Sequence, residues 1–232
     1  MPVQFVSGLL IRREWERLET FLVEEWPYYD GIPDTDPMHI LPLDTLVPVM
    51  VNAYWAASAG PLRRMYRAMA AACAPLLPSI PTEADLATAT PSSLGELATL
   101  IDSACRVEHA GLAIATKVLL RKRPRLIPML DSVIKQHYLV HRHSRGLGAR
   151  LDDPARRVPA LVDLLTAVQG DLVGCLDQLT SLGNRAASHG WPITPLRAME
   201  ILIWTEVEPH GYYRYDTIRR SDPTSASLEI HE

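Results

Sequence analysis

The chain has 232 residues, 47% hydrophobic and 22% charged, with a net charge of −4. Such a chain buries roughly 70–75% of the surface its unfolded form exposes, so it needs no disulfide or metal to fold as one large domain or two small ones. Three scattered cysteines (Cys73, Cys105, Cys175), no basic head before an apolar N-terminal stretch, and no apolar run near 18 residues argue against a disulfide scaffold, a zinc knuckle, a secretory leader and a membrane span. The expectation is a cytoplasmic protein.

In chain order, Ile11, Trp15, Leu18 and Leu22 fall on one helical stripe that Trp26 closes before Pro27. Residues 28–43 are rich in Pro, Asp and Gly and read as a loop. Thr45 reads as the cap of a helix carrying Val47, Met50, Val51, Tyr54 and Trp55, with Pro48 in its first turn. A second helix follows Gly60-Pro61 to about Leu77. Pro75, Pro78 and Pro81 form a linker, with a short helix near Thr82–Thr88 and a capped helix from Ser92 or Ser93 through Ile101. His109-Ala110-Gly111 interrupts the pattern. A helix over 112–121 ends at Pro124, and Pro128 or Asp131 opens the next, to about His141.

Gly146 and Gly148 mark a loop. Asp153-Pro154 opens a leucine-rich helical stretch that Gly170 and Gly174 divide. Thr194-Pro195 opens a last helix with Leu196, Met199, Ile203 and Trp204, ending at Pro209. No strand-like alternation survives. The fold class is all-α, an irregular orthogonal array of about eight to ten helices. Residues 1–210 form the domain, 75–92 is where a sub-domain break would fall, and 211–232 read as a loose tail.

Charge is unevenly spread. Residues 117–150 carry nine cations against Asp131 alone, a net +8 that leaves −12 on the remainder. Lys117, Arg121, Lys122, Arg123, Arg125 and Lys135 are the candidate phosphate or nucleic-acid contacts; a solvated helix face is the competing reading. Asp131 is the candidate catalytic residue if it faces a cleft, and merely a helix cap if it does not. His137, His141 and His143 have ligand-like spacing, but cations surround them and no acid completes a set, so no metal is expected. Tyr28, Tyr29 and Asp30 form an aromatic-acid cluster suited to a ring ligand or a core edge. Glu200, among apolar neighbours, either pairs with a basic-segment arginine or faces a pocket, with Trp204 one turn away. Without GxGxxG or a Walker loop, no cofactor is expected.

The block ATKVLLRKRPRLIPMLDSVI resembles the signature of an uncharacterised family of bacterial helical proteins, with YYDGIP, LPLDTLVPVMVNA and LRAMEILIWT as further matching blocks. The order of glycine turn, T-x-x-L-L-like helix, proline and aspartate is also distantly similar to helix-hairpin-helix DNA glycosylases. That resemblance implies a hairpin at Gly111, with Thr116 and Lys117 on its second helix, and Asp131 in the position that assists removal of a flipped base. The sequence departs from that pattern in having one hairpin glycine, His109-Ala110-Gly111-Leu112, no placeable lysine nucleophile and no iron–sulfur cysteines.

Three functions are therefore expected in competition. The first is a glycosylase-like protein that engages DNA or another phosphate-bearing ligand, with catalysis retained or lost. The second is a small-molecule enzyme or ligand-binding protein, for example in specialised metabolism, with Asp131, Tyr29 and Glu200 lining the cleft. The third is a non-catalytic interaction module.

Overall fold

The computed structural model describes residues 2–26, 29–33, 35–50, 59–141 and 146–220, with the side chains of 49–50, 59, 140–141 and 208–220 left aside. Tyr28, Tyr54, Trp55, Arg142, His143 and Arg145 lie outside the described residues, as does 221–232 of the expected tail.

Ten α-helices run through the described residues: α1 Glu14–Glu25, α2 Pro42–Met50, α3 Ala59–Cys73, α4 Pro91–Cys105, α5 Gly111–Leu120, α6 Ser132–His141, α7 Leu147–Asp152, α8 Arg157–Gly174, α9 Leu176–Ser188 and α10 Pro195–Arg220. Two single-turn 3₁₀ helices, Leu77–Ser79 and Leu86–Thr88, follow α3. The all-α class holds, with one addition. An N-terminal hairpin pairs β1 (Val3–Gln4) antiparallel to β2 (Leu10–Ile11). Ile11 therefore belongs to a strand and not to the α1 stripe. Two-residue strands are too short to show alternation in a sequence.

The core is built around α5. Every residue from Ile114 to Leu120 is buried, because GLAIATKVLL is apolar except for Thr116 and Lys117 and α2 and α4 cover it. α4 packs on α8, where buried Asp102 takes Arg157 at 3.1 Å and Arg106 at 2.7 Å. α10 packs on α1, α6 and α9.

Side chains set the starts of α2, α4, α6 and α10. Thr90 accepts from the Ser93 amide at 3.2 Å, so the cap of α4 lies two or three residues before the expected serines, with Pro91 at its first position. Thr194 accepts from the Arg197 amide at 3.1 Å and opens α10 as expected. α2 begins at Pro42, earlier than expected, because Asp44 turns back to accept from the Leu41 amide at 2.6 Å. Between α4 and α5, His109 (φ 66°) and Gly111 (φ 55°) take left-handed backbone, which makes the tight turn.

Pro209 does not end α10, which continues to Arg220. A proline there leaves the Thr205 carbonyl without its helical donor. Arg17 of α1 supplies one instead, Nη1 to Thr205 O at 3.0 Å. No single helix among the described residues is long and apolar enough to cross a membrane.

Candidate functional site

The turn from α5 to α6, residues 121–131, is held by side chains rather than by regular structure. Thr116 accepts from the Leu130 amide at 3.0 Å, and Glu200 of α10 accepts from the Met129 amide at 2.5 Å. Asp131 Oδ1 accepts from the Val133 and Ile134 amides, both at 3.0 Å, and so caps α6. Tyr29, from the loop after α1, donates to the Lys117 carbonyl at 2.6 Å.

These contacts frame a cavity of about 90 Å³ between α1, α5, α6 and α10. Asp131, Lys117, Glu200, Arg197, Tyr29 and Trp204 are among its walls. The Phe21 and Trp204 rings, edge to face at 5.7 Å, form an aromatic side. At ~30 Å³ per water, the space takes about three waters, or one compact functional group of a ligand.

Its electrostatics are set by burial. Arg197 forks onto Asp30 at 2.8 and 2.9 Å and reaches Glu200 at 3.3 Å. Burial opposes the charge on Arg197, but Asp30 and Glu200 outweigh it and hold its pKa above the ordinary arginine value. Burial pushes the Glu200 carboxyl up to about 7, against the pull of Arg197 and the Met129 amide. Burial also raises the Tyr29 hydroxyl, which stays protonated and donates. Lys117 is 9% exposed. Burial lowers its pKa, Asp131 pulls it back up, and Arg197 adds to the lowering.

The structure thus brings Asp131, Lys117, Tyr29, Glu200 and Trp204 together. It also resolves Asp131 as both cap and cavity residue: Oδ1 caps α6, while Oδ2 has no hydrogen-bond partner among the described residues. Glu200 pairs with Arg197 of its own helix and not with a basic-segment arginine. Sequence reasoning passed over Arg197. Its signal was a charge three residues before Glu200 on an otherwise apolar stripe.

Of the other candidate cations, Lys122 and Arg123 are turned inward. Arg123 is fully buried and places all five N–H groups on carbonyls: Nε and Nη2 on Ile80 at 2.8 and 2.6 Å, Nη2 also on Leu77 at 2.8 Å, Nη1 on Pro37 and Lys122 at 2.7 Å each. Lys122 gives its three donors to Asp44 at 2.5 Å, the Asp36 carbonyl at 2.9 Å and the Thr35 hydroxyl. Arg125, 57% exposed, is tied to Asp85 at 2.6 Å. Lys135 is half-buried on α6 and does not line the cavity. Residues 117–125 therefore do not present an open basic face; proline-rich loops lack internal donors, and these cations satisfy their carbonyls.

His137 faces Ser7 Oγ at 3.0 Å and Asp171 at 3.8 Å, both through Nε2. A hydrolytic triad places its acid on Nδ1, whereas here both contacts fall on Nε2. No group of three or more metal-ligating side chains exists among the described residues.

No curated protein and no solved structure matches the chain significantly. The sequence profile of a family of unknown function, DUF6308, matches residues 17–207, and the chain belongs to that family.

Proposed function

We propose that the Asp131 cavity is the working site of a small-molecule enzyme or ligand-binding protein. The observation that carries this reading is the division of labour within one carboxylate. Oδ1 is fixed by two backbone amides, so Oδ2 is held rigidly at the cavity without spending itself on the cap.

Across the same space stands Lys117, whose ammonium gives up a proton more readily than an ordinary lysine because burial disfavours its charge. A carboxylate that accepts and an ammonium that donates are the pair needed for proton transfer at a bound group. Trp204 and Phe21 supply a surface for the ligand's apolar part. Glu200 and Arg197 act from behind: Glu200 fixes the Met129 amide and Arg197 fixes Glu200. The inward-facing cations favour this reading over a DNA-gripping surface, since Lys122 and Arg123 keep no donor for a phosphate.

The test is a fragment screen read by protein NMR, comparing the wild type with Asp131→Asn. Asparagine keeps the capping oxygen and removes the charge, so the expected result is loss of the cavity hits with an unchanged melting temperature. Hits that bind Asp131→Asn undiminished, or no hit at the cavity, refute the proposal. Steeply salt-dependent DNA binding that Asp131→Asn leaves intact would favour the nucleic-acid reading instead.

A further inference from the structure

Behind the Arg197–Asp30 pair lies a second cavity of about 170 Å³, with Leu120, Arg121, Pro124 and Ile193 among its walls. Tyr29, Asp30 and Arg197 line both spaces, so the ion pair is the partition between them.

Among the described residues that line it, two cations, Arg121 and Arg197, stand against one carboxylate, Asp30. Asp30 gives both oxygens to Arg197. Asp44 stands behind Arg121, but Lys122 at 2.5 Å, the Thr35 hydroxyl at 2.5 Å and the Leu41 amide at 2.6 Å already hold it. Two cations therefore share one carboxylate, and Lys122 has the closer claim. The Arg121 side chain is 4% exposed and makes one hydrogen bond among the described residues, Nη2 to the Pro33 carbonyl at 2.7 Å. Its Nε lies 3.5 Å from Asp44 and bonds to nothing described. Arg123, two residues on, saturates the same fork completely. Arg121 is thus the one cation of the run 121–125 that combines a buried guanidinium, an unmet buried donor and a cavity beside it.

An unmet donor on a buried charge is costly, and an anion is the group that meets both the donor and the charge. A planar guanidinium fork matches an oxyanion in geometry as well as in sign. We infer that this cavity is an oxyanion subsite that takes one phosphate or carboxylate group through Arg121. Resting on the reading of the Asp131 cavity, it further implies that the ligand there carries such a group. At ~30 Å³ per water, the volume of the subsite is about five or six waters, enough for one oxyanion.

Isothermal titration calorimetry of the full chain with inorganic phosphate at low salt tests this. The wild type should bind saturably. Arg121→Gln should weaken binding at least tenfold. So should Ile193→Trp, which fills the cavity without touching a charge and covers the case that Arg121→Gln fails to fold. Arg125→Gln should bind as the wild type does. Absence of saturable binding, or binding that Arg121→Gln and Ile193→Trp both retain, overturns the subsite. A ten-residue oligothymidylate separates the sources. Arg121-dependent binding tighter than that of phosphate assigns the oxyanion to a nucleic-acid backbone; weaker or no binding assigns it to a small molecule. Because the phosphate titration reads Arg121 and Ile193 while the fragment screen reads Asp131, the two proposals fail independently.

Discussion

Arg123→Met removes the most heavily used side chain in the molecule, and its cost follows from the hydrogen bonds. Four carbonyls lose a donor: Pro37, Leu77, Ile80 and Lys122. Pro37 is exposed and regains water, and Leu77 keeps the Ile80 amide at 3.3 Å, so two buried acceptors, Ile80 and Lys122, remain unmet. Each unsatisfied buried carbonyl costs ~1–3 kcal/mol, giving ~2–6 kcal/mol in all. Methionine buries an apolar stem of similar length and returns ~1–2 kcal/mol. The net loss is about 2.5 kcal/mol, against a total stability of ~5–15 kcal/mol for a domain. Urea unfolding followed by circular dichroism should show the midpoint falling by about 1 M at a slope of ~2–3 kcal/mol/M. Arg123→Lys keeps the charge and three donors, so its midpoint should lie between those of the wild type and the methionine variant. A methionine variant within ~1 kcal/mol of the wild type would refute the assignment of Arg123 as the clamp on these loops.

Glu200 carries a pH signature. Its carboxyl is raised to about 7 from an ordinary 4.5, so between those values the folded state holds a proton that the unfolded state releases. Its contribution therefore declines as pH rises from 4.5 to 7, by roughly 3 kcal/mol; Glu200→Gln should remove that slope, and an unchanged difference in stability between pH 5 and pH 7 would count against it. Tyr29→Phe leaves the buried Lys117 carbonyl without its donor and should cost ~1–3 kcal/mol by chemical denaturation. Asp131→Ala should cost ~1 kcal/mol through the lost cap, while Asp131→Asn stays within ~0.5 kcal/mol; equal losses would mean that the charge, and not the capping oxygen, stabilises α6.

Local chemistry was readable where a residue acts on its own neighbours. Thr194-Pro195 and Asp131 announce helix starts because a cap works over three residues. The hairpin was missed because two-residue strands leave no periodic trace, and the continuation of α10 past Pro209 because the compensating donor, Arg17, lies 188 residues away. The same distance problem governs the site. Tyr29, Asp131, Glu200 and Trp204 were each picked out by type and setting, yet nothing in the chain says that they meet. The cations of 121–125 misled in the opposite direction. A run of like charge suggests a surface, whereas its true cue was the proline-rich loops elsewhere, whose carbonyls needed donors.

Arg123 also ties together segments that lie far apart in the chain. The segments holding Pro37, Leu77 and Ile80 include no strand, and their only helix is a single 3₁₀ turn. Each accepts from one guanidinium just past the end of α5. Opening any of them therefore breaks a bond to the core helix, which couples their stability to its docking. Amide exchange at 77–80, which would ordinarily be that of a fraying surface loop, should track global unfolding with the core helices.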